Sequence, residues 1–492
     1  MKQRLLLFFF ALLALTQTAK ADDYLYAEID GTAMTLKYGE PGSKPYYSYA
    51  SWSGITESSI TEVTIEASCA SYADTSLKKL FNDFTKLTTI TGLANLGTTN
   101  VTNMNSMFKN CKALATLDLS GFSTAGVTDM SEMFYGCTAL TTLNVSSFNT
   151  SSVTTMSSMF RSCNALTTLD VSSFNTSSVT DMAFMFYDCT ALTSLNVSNF
   201  NTSNVTNMSD MFGYCEALPA LDLSNFDISS VSEMYYMFTT CRQLKTIITD
   251  ADWSGVTNGI AMFFDNSQLV GEDGTAYSSS ARDKTKAHTG AGGYFTKKTA
   301  TLTANDGGDG SYYATYYKSN VNRRVSEGTT IYKADVSGTT LTLTETGGDI
   351  IKAGEAVILV STGSSITLTS LVTDANGDYS DNALRGAEQS TAQDGSSKYY
   401  ALSKKSAGVG FYRLADGVNV PAHKAYLRIA GSSGAPEHYN FSFDDEDITT
   451  GINAASAQPT TADGVWYDLT GRRTTAPTKG LYIKNGQKYI IK

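Results

Sequence analysis

The chain has 492 residues, a length that suits three or four structural modules rather than one ordinary domain. Asp and Glu outnumber Lys and Arg by 47 to 36, which argues against nucleic acid and against an anionic membrane surface as partners. Only 17% of the residues are charged and 42% are hydrophobic, a composition typical of extracellular β-rich proteins.

Residues 1–21 have the features of a secretory signal peptide. Lys2 and Arg4 precede an apolar run at residues 5–15, and the Ala-Lys-Ala sequence at residues 19–21 offers a cleavage site. The apolar run is too short to span a bilayer as a stable helix, which needs about 20 residues, and no later stretch reaches that length. We therefore expect a secreted protein without a transmembrane span.

After a β-rich N-terminal cap that we expect at residues 22–75, a 26-residue period dominates the chain from about residue 101 to 248. Each of six in-phase copies contains a Met-x-x-Met-Phe segment with a cysteine three residues after the Phe. The recurring residues are Met104, Met107, Phe108 and Cys111; Met130, Met133, Phe134 and Cys137; Met156, Met159, Phe160 and Cys163; Met182, Met185, Phe186 and Cys189; Met208, Met211, Phe212 and Cys215; and Met234, Met237, Phe238 and Cys241.

Each copy changes its hydrophobic period partway through. Met130, Met133, Phe134 and Cys137 stand at i, i+3, i+4 and i+7, which predicts one face of a short helix. Residues 142–145 then alternate polar and apolar side chains, the period of a strand. A Ser-Ser-Phe-Asn-Thr-Ser-Ser stretch follows and supplies turn residues that lead into the next copy.

One coil of this kind cannot fold alone. Nine recurring apolar side chains gain roughly 1.5–3 kcal/mol each on burial, whereas ordering 26 residues costs about 1.5 kcal/mol per residue. Stacked neighbours must complete one another's core, so we predict an α/β solenoid at residues 76–298 with a short helix and a strand in each coil. The cysteines are expected to form an inward column of small apolar residues rather than disulfides or metal ligands.

The repeat resembles that of BspA-type leucine-rich-repeat bacterial surface proteins. The motif Val-Thr-x-Met-Ser-x-Met-Phe-x-x-Cys-x-x-Leu-Thr-x-Leu-Asp/Asn-Val-Ser-x-Phe is clearest at residues 153–174. The resemblance covers about residues 60–298, with a degenerate first coil at 76–93 and a closing segment that includes 269–275 and 293–295. It implies a right-handed solenoid and adhesion to host matrix proteins, host cells or other bacteria.

The repeat departs from ordinary leucine-rich repeats at one position. Three residues after Leu119 or Val145, where those repeats place an Asn that binds backbone groups, this chain has Phe. We expect a column of serines to satisfy buried backbone groups instead. These serines are Ser120, Ser146, Ser172, Ser198 and Ser224.

The helix period disappears at residues 299–447. Short β-like runs at residues 339–343, 356–360, 365–371 and 425–429 alternate with Gly-, Asn- and Asp-rich turns, which predicts a β-sandwich module. The segment at residues 420–427 resembles an accessory β module of surface proteins from the same bacteria.

Residues 465–492 resemble the C-terminal sorting domains of type IX secretion in Gram-negative anaerobes. The resemblance rests on residues 466–473 and 479–488 and implies passage across the outer membrane with surface attachment or release. The pattern predicts strands with turns at Thr470-Gly471 and Asn485-Gly486. A plain terminal β-hairpin without a sorting role is the alternative. We expect residues 448–464, rich in Thr, Ala and Gly, to be a linker.

The sequence carries no enzymatic constellation. His288, His423 and His438 lack metal-binding spacing, and neither a Gly-x-Ser-x-Gly elbow nor a phosphate-binding Gly loop is present. We expect a protein that is not an enzyme and has no cofactor or metal.

Two segments of the β module allow a second interpretation. Residues 374–380 space oxygen atoms as calcium loops do but lack the Gly at the sixth position and the acid at the twelfth, so a hairpin turn is expected there and at residues 306–310. A tyrosine cluster could stack on glycans, although core packing explains it more simply. Its members are Tyr312, Tyr313, Tyr316 and Tyr317.

The outward residues of the solenoid strands form the candidate binding surface, here called the strand face. Asp and Asn alternate along it, which halves the repulsion between like charges on neighbouring coils. It is either a solvated surface or a low-specificity protein-binding surface, because repeats multiply weak contacts. Its residues are Thr116, Asp118, Thr142, Asn144, Thr168, Asp170, Ser194, Asn196 and Asp222, with Ala220 beside the last.

Three functions remain open from the sequence. The first is a surface-displayed adhesin or interaction scaffold, at the bacterial outer-membrane surface or outside the cell, whose solenoid binds host matrix proteins, host cells or other bacteria. The second is a structural envelope protein without a ligand. The third is a carbohydrate-binding surface protein that acts through the β module.

Overall fold

The computed structural model describes residues 24–41, 47–48, 55–337, 340–372, 382–388, 390–406, 408–430, 435–443, 452–454, 466–468, 473–474, 480–484 and 487–491. These residues divide into two compact units. The first contains the described residues up to 300 together with 320–322 and 369–372, and the second contains the remainder. The predicted signal peptide and the candidate calcium loop at 374–380 lie outside the described residues.

A five-stranded sheet begins the first unit. Its strands are β1 (Tyr24–Asp30), β2 (Ala33–Gly39), β3 (Tyr47–Ser48), β4 (Glu62–Ile65) and β5 (Thr89–Thr91), in the order β3-β1-β2-β4-β5. The pairing is antiparallel between β1 and β2 and parallel between β2, β4 and β5. Because β5 belongs to the degenerate first coil, this sheet passes directly into the solenoid and shares its hydrophobic core.

The repeats form a β-solenoid of about eight coils, stacked in register from Ser76 to Asn258 through one parallel bridge per coil. Most coils also pair in parallel through the predicted strand. The position of this strand is confirmed, but it is only two or three residues long. These strands are β6 (Thr116–Leu117), β7 (Thr142–Leu143), β8 (Thr168–Leu169), β9 (Ser194–Leu195), β10 (Ala220–Asp222), β11 (Thr246–Ile248) and β12 (Phe295–Thr296). They form three short ladders, β6-β7, β8-β9 and β10-β11-β12, rather than one sheet.

The α-helix predicted in each coil is wrong. The described residues contain no α-helix, only 3₁₀ turns at Glu57–Ser59, Ala67–Ser71, Leu93–Asn95 and Lys284–Lys286. The Met-to-Cys segment of each coil is instead a chain of turns, here called the turn segment. It has two residues in the left-handed region, such as Glu132 at φ 58° and Gly136 at φ 73°, and such residues interrupt an α-helix.

Backbone hydrogen bonds explain why the helix does not form. An α-helix requires each N–H to donate to the carbonyl four residues earlier. In the turn segment, Glu132 and Phe134 donate instead to the next coil, to Ser157 and Met159, over 2.9 Å. Met133 and Tyr135 donate within the coil, each to the carbonyl three residues earlier. Half of the N–H groups thus bind the neighbouring coil, and this joins the coils along the whole turn segment.

The inward positions predicted from the repeat are confirmed. The Met, Phe and Cys side chains of the turn segments are at most 1% exposed and belong to one core. From Phe108 to Phe263, the phenylalanine rings form a ladder with centroids 5.7–5.9 Å apart and planes within 2–9° of parallel. The spacing i, i+3, i+4, i+7 therefore identified the buried side chains although the backbone is not helical.

The cysteine column is confirmed as a structural core element. All seven cysteines are free and buried, and the described thiols form no disulfide. In each coil from Cys111 to Cys241, the thiol donates to the phenylalanine carbonyl of the preceding coil over 3.0–3.2 Å. Burial raises the pKa of Cys137, Cys189 and Cys241 to about 12, so these thiols stay protonated and remain hydrogen-bond donors.

Threonines, rather than the expected serines, replace the missing Asn ladder. The serines of that column are exposed. Thr176 is fully buried, and its hydroxyl donates to the carbonyl of Asn201 over 2.9 Å while accepting from the N–H of the same residue over 2.8 Å. The same pair of bonds recurs at Thr124, Thr150 and Thr202. One hydroxyl per coil therefore satisfies two backbone groups of the next coil.

The chain after residue 298 is built from β-strands, as predicted for the C-terminal modules. Most of these residues belong to the second unit, whereas residues 299–300, 320–322 and 369–372 belong to the first. The strands include β13 (Thr299–Thr303), β14 (Asn305–Asp306), β15 (Tyr312–Tyr316), β16 (Asn322–Val325), β17 (Thr329–Ser337), β18 (Thr340–Glu345), β19 (Ile350–Ile351), β20 (Val357–Ser361), β21 (Ser365–Leu371), β22 (Leu384–Ala387), β23 (Ser397–Lys405), β24 (Gly408–Arg413), β25 (Lys424–Ala430) and β26 (His438–Phe443). One sheet has the order β14-β15-β20-β17-β18-β26-β24-β23-β25-β22 and another β13-β21-β16-β19.

Two local predictions in the second unit are confirmed. Residues 306–310 form the turn between β14 and β15, where Asp306 Oδ1 accepts from the N–H of Gly308 over 2.8 Å. Tyr313 and Tyr316 are about 5% and 4% exposed and pack into the core, and Tyr312 and Tyr317 are half-buried, as core packing of this tyrosine cluster predicts.

The C-terminal residues form a five-stranded sheet of the order β27-β31-β30-β28-β29. Its strands are β27 (Ile452–Ala454), β28 (Trp466–Asp468), β29 (Arg473–Thr474), β30 (Gly480–Lys484) and β31 (Gln487–Ile491). The strands β28, β29, β30 and β31 pair antiparallel, and the two predicted turns between them lie outside the described residues. The strand β27 lies within the segment expected to be a linker and pairs parallel with β31.

The threonine ladder predicts a specific stability effect. Replacing Thr176→Val keeps the shape but removes two part-buried hydrogen bonds, to the N–H and to the carbonyl of Asn201, so we expect a loss of about 1–3 kcal/mol in the free energy of unfolding. Urea denaturation followed by tryptophan fluorescence, to which Trp253 in the solenoid core contributes, measures it. The matched variant Thr168→Val, at an exposed position, should change stability little. Equal stability of the two variants would contradict the ladder's role.

Candidate functional site

The strand face is exposed along four coils. Its residues on β6 to β9 and directly after them are all exposed and lie in register. At β10 the face closes, because Ala220 and Asp222 are half-buried and Lys298 forms an ion pair with Asp222. The structure therefore brings eight of the nine predicted residues together on one open surface and places Asp222 at its end.

A shallow groove runs along the first three of these coils. It has a volume of about 550 Å³. Leu117 and Leu143, each 9% exposed, contribute apolar surface to a lining that is otherwise polar. The full lining is Thr116, Leu117, Asp118, Thr142, Leu143, Asn144, Thr168 and Asp170. The groove is open and has room for an extended segment of another molecule.

The Asp and Asn residues of the strand face also have a structural role. Asp118 Oδ1 accepts from the N–H of Ser120 over 3.0 Å, and Asn144 makes the same turn with Ser146 over 3.0 Å. The Ser120 bonds lower the pKa of Asp118, so this carboxylate is ionised at neutral pH. Asn serves the turn equally well without adding charge. The alternation of Asp and Asn therefore has an explanation within the fold itself.

The sequence reasoning missed a second surface, on the outward side of the turn segments, here called the turn face. Copies that are otherwise nearly identical differ there. One column of the turn face reads Lys109, Tyr135, Arg161, Tyr187, Gly213, Thr239 and Phe264 along the coils. The signal that could have revealed it was this variation between copies, because these turn positions do not belong to the hydrophobic core.

An arginine is enclosed by aromatic rings in the middle of the turn face. The Arg161 guanidinium carbon lies 5.1 Å from the ring centroid of Tyr135, 4.8 Å from that of Phe184 and 4.7 Å from that of Tyr187. Lys109 lies 4.8 Å above Tyr135. Cations and aromatic rings thus alternate along four successive coils, an attractive arrangement worth roughly 0.5–2 kcal/mol for each contact.

Exposed apolar side chains concentrate at the C-terminal half of the turn face. Tyr214, Tyr236, Ile260 and Phe264 are 36%, 42%, 67% and 40% exposed. In the described part of the chain, only one other large hydrophobic residue, Val418, is comparably exposed. Large apolar patches are typical of interaction surfaces, so these four side chains are candidate contact residues.

A buried carboxylate lies among these residues. Asp210 is 8% exposed, and burial raises its pKa to about 6 although the nearby Arg161 lowers it. The rings of Tyr187 and Tyr214 lie 5.2 Å apart beside it, and burial, followed by the proximity of Tyr214 and Asp210, raises the pKa of Tyr187. The ionised form of Asp210 therefore destabilises the folded state.

The described residues also show what the solenoid does not offer. They contain no cluster of three or more His, Cys, Asp or Glu side chains that could hold a metal ion. None of the described helices, all of them short 3₁₀ turns, has the length and apolar character that crossing a bilayer requires.

The fold and its two surfaces define the class of protein: a β-solenoid repeat protein with an extended exposed face. The repeats match the family model DUF285, described as "Mycoplasma protein of unknown function", at residues 75–191 and 163–274. These overlapping matches cover most of the solenoid and less than half of the chain. No curated protein and no solved structure is significantly similar to the chain. The BspA-type resemblance and the sorting role of the tail stay predictions.

The raised pKa of Asp210 predicts the pH dependence of stability. A carboxyl whose pKa is higher in the folded than in the unfolded state destabilises the fold progressively as the pH rises from about 4 to 6. Asp210→Asn removes this penalty, and asparagine tolerates the left-handed backbone at this position. We expect the free energy of unfolding at pH 7.5 to rise by about 1 kcal/mol, allowing for partial solvent screening.

Urea denaturation at pH 7.5 and at pH 4.5 measures this effect, and the gain should shrink at the lower pH. Asp118→Asn is the matched control, because that carboxylate is exposed and its pKa is lowered rather than raised. A less stable Asp210→Asn variant at pH 7.5 would show that attraction to Arg161 outweighs the cost of burial.

Proposed function

We propose that this protein is a surface-displayed adhesin or interaction scaffold whose solenoid binds host matrix proteins, host cells or other bacteria. The observation that carries the proposal is the exposed strand face, which presents nearly the same Thr, Asp and Asn residues on four coils stacked in register. The family match of the repeats, which assigns no activity, is compatible with a binding role.

Repetition explains how such a plain surface could bind. A single coil offers a few polar side chains and weak contacts. Coils that repeat about every 4.8 Å let one extended partner make the same contact several times, and the combined affinity exceeds that of any single contact. The rigid core of Phe, Met and Cys side chains keeps these contacts in register.

Export and display complete the proposal. The signal peptide at residues 1–21 would direct the chain out of the cytosol, and residues 465–492 would act as the sorting signal for the outer-membrane surface or the extracellular space. The similarity of residues 466–473 and 479–488 to type IX sorting domains supports this step.

Binding of the full chain tests the first part of the proposal. We expect saturable binding of the purified protein to at least one immobilised matrix protein or to intact partner cells. Adding two charged, longer side chains to the groove with Thr142→Lys and Thr168→Lys should weaken that binding by about tenfold, since both residues line it.

The matched control is Ser279→Lys with Ser396→Lys, which adds the same charge at exposed positions outside the strand face and should leave binding unchanged. Undiminished binding by the groove variant would remove the strand face from the proposal. Absence of saturable binding to every matrix protein and cell would remove the adhesin itself.

Deletion of residues 466–492 tests the sorting role. In the native bacterium, we expect the truncated protein to be lost from the outer-membrane surface and to accumulate inside the outer membrane. Protease accessibility of intact cells and immunoblots of fractions measure the distribution, with a deletion of residues 395–396, an exposed turn of the second unit, as the control. Normal surface display of the truncated protein would refute a sorting function.

A further inference from the structure

On the turn face, aromatic rings already surround one cationic side chain of this protein. Arg161 lies within 5.1 Å of three ring centroids, and Lys109 lies over the first of these rings. The coil spacing of the solenoid therefore suits a row in which rings and cationic groups alternate.

The alternation of cations and rings is interrupted at Gly213. A Cβ atom at that position would lie 3.1 Å from the ring of Tyr187, so the ring packs directly against the glycine backbone. Beyond it, Tyr214 and Tyr236 expose their rings, and among the described residues no Lys or Arg side chain lies over either one. The next cation, Arg282, lies over Phe264, 4.7 Å from its centroid.

The fold does not require these aromatic residues. The position of Tyr236 is occupied by Ser106 and Ser158 in other copies, and that of Tyr214 by Asn110. All of these residues have left-handed backbones, with φ between 56° and 59°, a conformation in which bulky side chains are uncommon. Neither tyrosine is buried in the core. Their presence is therefore better explained by contact with another molecule than by folding.

Charge indicates the nature of that molecule. Residues 75–274 contain 17 Asp and Glu against 8 Lys and Arg, a formal charge of −9 within a chain of −11. Near the two tyrosines, the carboxylates of Asp188 and Asp210 lie beside Tyr187, whose ring contacts Tyr214. Exposed rings next to carboxylates attract arginine and lysine side chains through both cation–π and ionic contacts.

We propose that Tyr214 and Tyr236, together with Asp188 and Asp210, dock a basic, apolar segment of a partner protein by placing its arginine or lysine side chains over the two rings. Ile260 and Phe264, on the next coil, contact the apolar side chains of the same segment. The proposal rests on the proposed interaction function and names a second face and a class of partner for it.

Binding of a fluorescein-labelled peptide of alternating arginine and leucine to the full chain, measured by anisotropy, tests this. We expect Tyr214→Ala with Tyr236→Ala to weaken binding by about tenfold, and Tyr214→Phe with Tyr236→Phe to restore it, because phenylalanine keeps the ring. Val418→Ala, which removes an exposed apolar side chain elsewhere, should leave binding unchanged.

Two further binding experiments distinguish an effect of charge on peptide binding from an effect of misfolding. A peptide with citrulline in place of arginine, which loses the charge and keeps the shape, should bind at least tenfold more weakly. Asp210→Asn should weaken binding although the variant is expected to be the more stable protein, so its loss of binding cannot come from misfolding. Thermal melts of all variants verify that each is folded.

Three results would overturn the proposal: no binding of the arginine peptide by the wild type, equal binding of the citrulline peptide, or loss of binding through Thr142→Lys and Thr168→Lys but not through the tyrosine variants. Binding of β-glucan oligosaccharides that depends on the two tyrosines would assign the surface to glycans instead. If matrix-protein binding persists when any of these results is obtained, only the turn-face docking fails and the proposed function stands.

Discussion

The structure depends on one arrangement of backbone hydrogen bonds: in each turn segment, alternate N–H groups bind the next coil and the others close turns within their own. This arrangement joins the coils along the turn segment, whereas the strands join them over only two or three residues. It requires two left-handed residues per coil, a local cost of roughly 1–2 kcal/mol for each non-glycine residue. Bonds between coils offset this cost, so one coil has no stable form of its own and stability arises from stacking.

The side-chain ladders follow from the same stacking. Once successive coils are in register, a residue type repeated at one position forms a continuous column. The phenylalanine rings stack, the cysteine thiols donate to phenylalanine carbonyls of the preceding coil, and the threonine hydroxyls satisfy the backbone of the next coil. Each column works only when neighbouring coils carry the same residue. This physical dependence explains why the residues that point into the core are nearly identical in all copies.

The strand face and the turn face differ in how strongly their composition is conserved between coils, because only the side chains of the strand face form a repeated hydrogen bond with the backbone. On the strand face, Asp or Asn accepts a hydrogen bond from a serine N–H two residues later, so the composition stays uniform from coil to coil. On the turn face, the side chains at equivalent positions of successive coils do not all make the same hydrogen bond. Aromatic, cationic, glycine and acidic residues therefore replace one another from coil to coil. A face with the same residues on every coil suits repeated weak contacts, whereas a face whose residues vary can present a few specific side chains for binding. The Arg161 enclosure and the exposed Tyr214 and Tyr236 represent the second kind.

The sequence by itself determined the repeat, its coil boundaries, the inward Met, Phe, Cys and Leu positions and the exposure of the strand face, because periodicity reports directly which side chains point to the core. It did not determine the backbone between them. The spacing of Met130, Met133, Phe134 and Cys137 fits a helix and a chain of turns equally well, and only the hydrogen bonds offered by a neighbouring coil decide between the two. Those bonds connect residues about 25 positions apart and leave no local signal. For the same reason, only the tertiary structure showed that buried threonines replace the Asn ladder and that side chains from separate coils assemble the turn face.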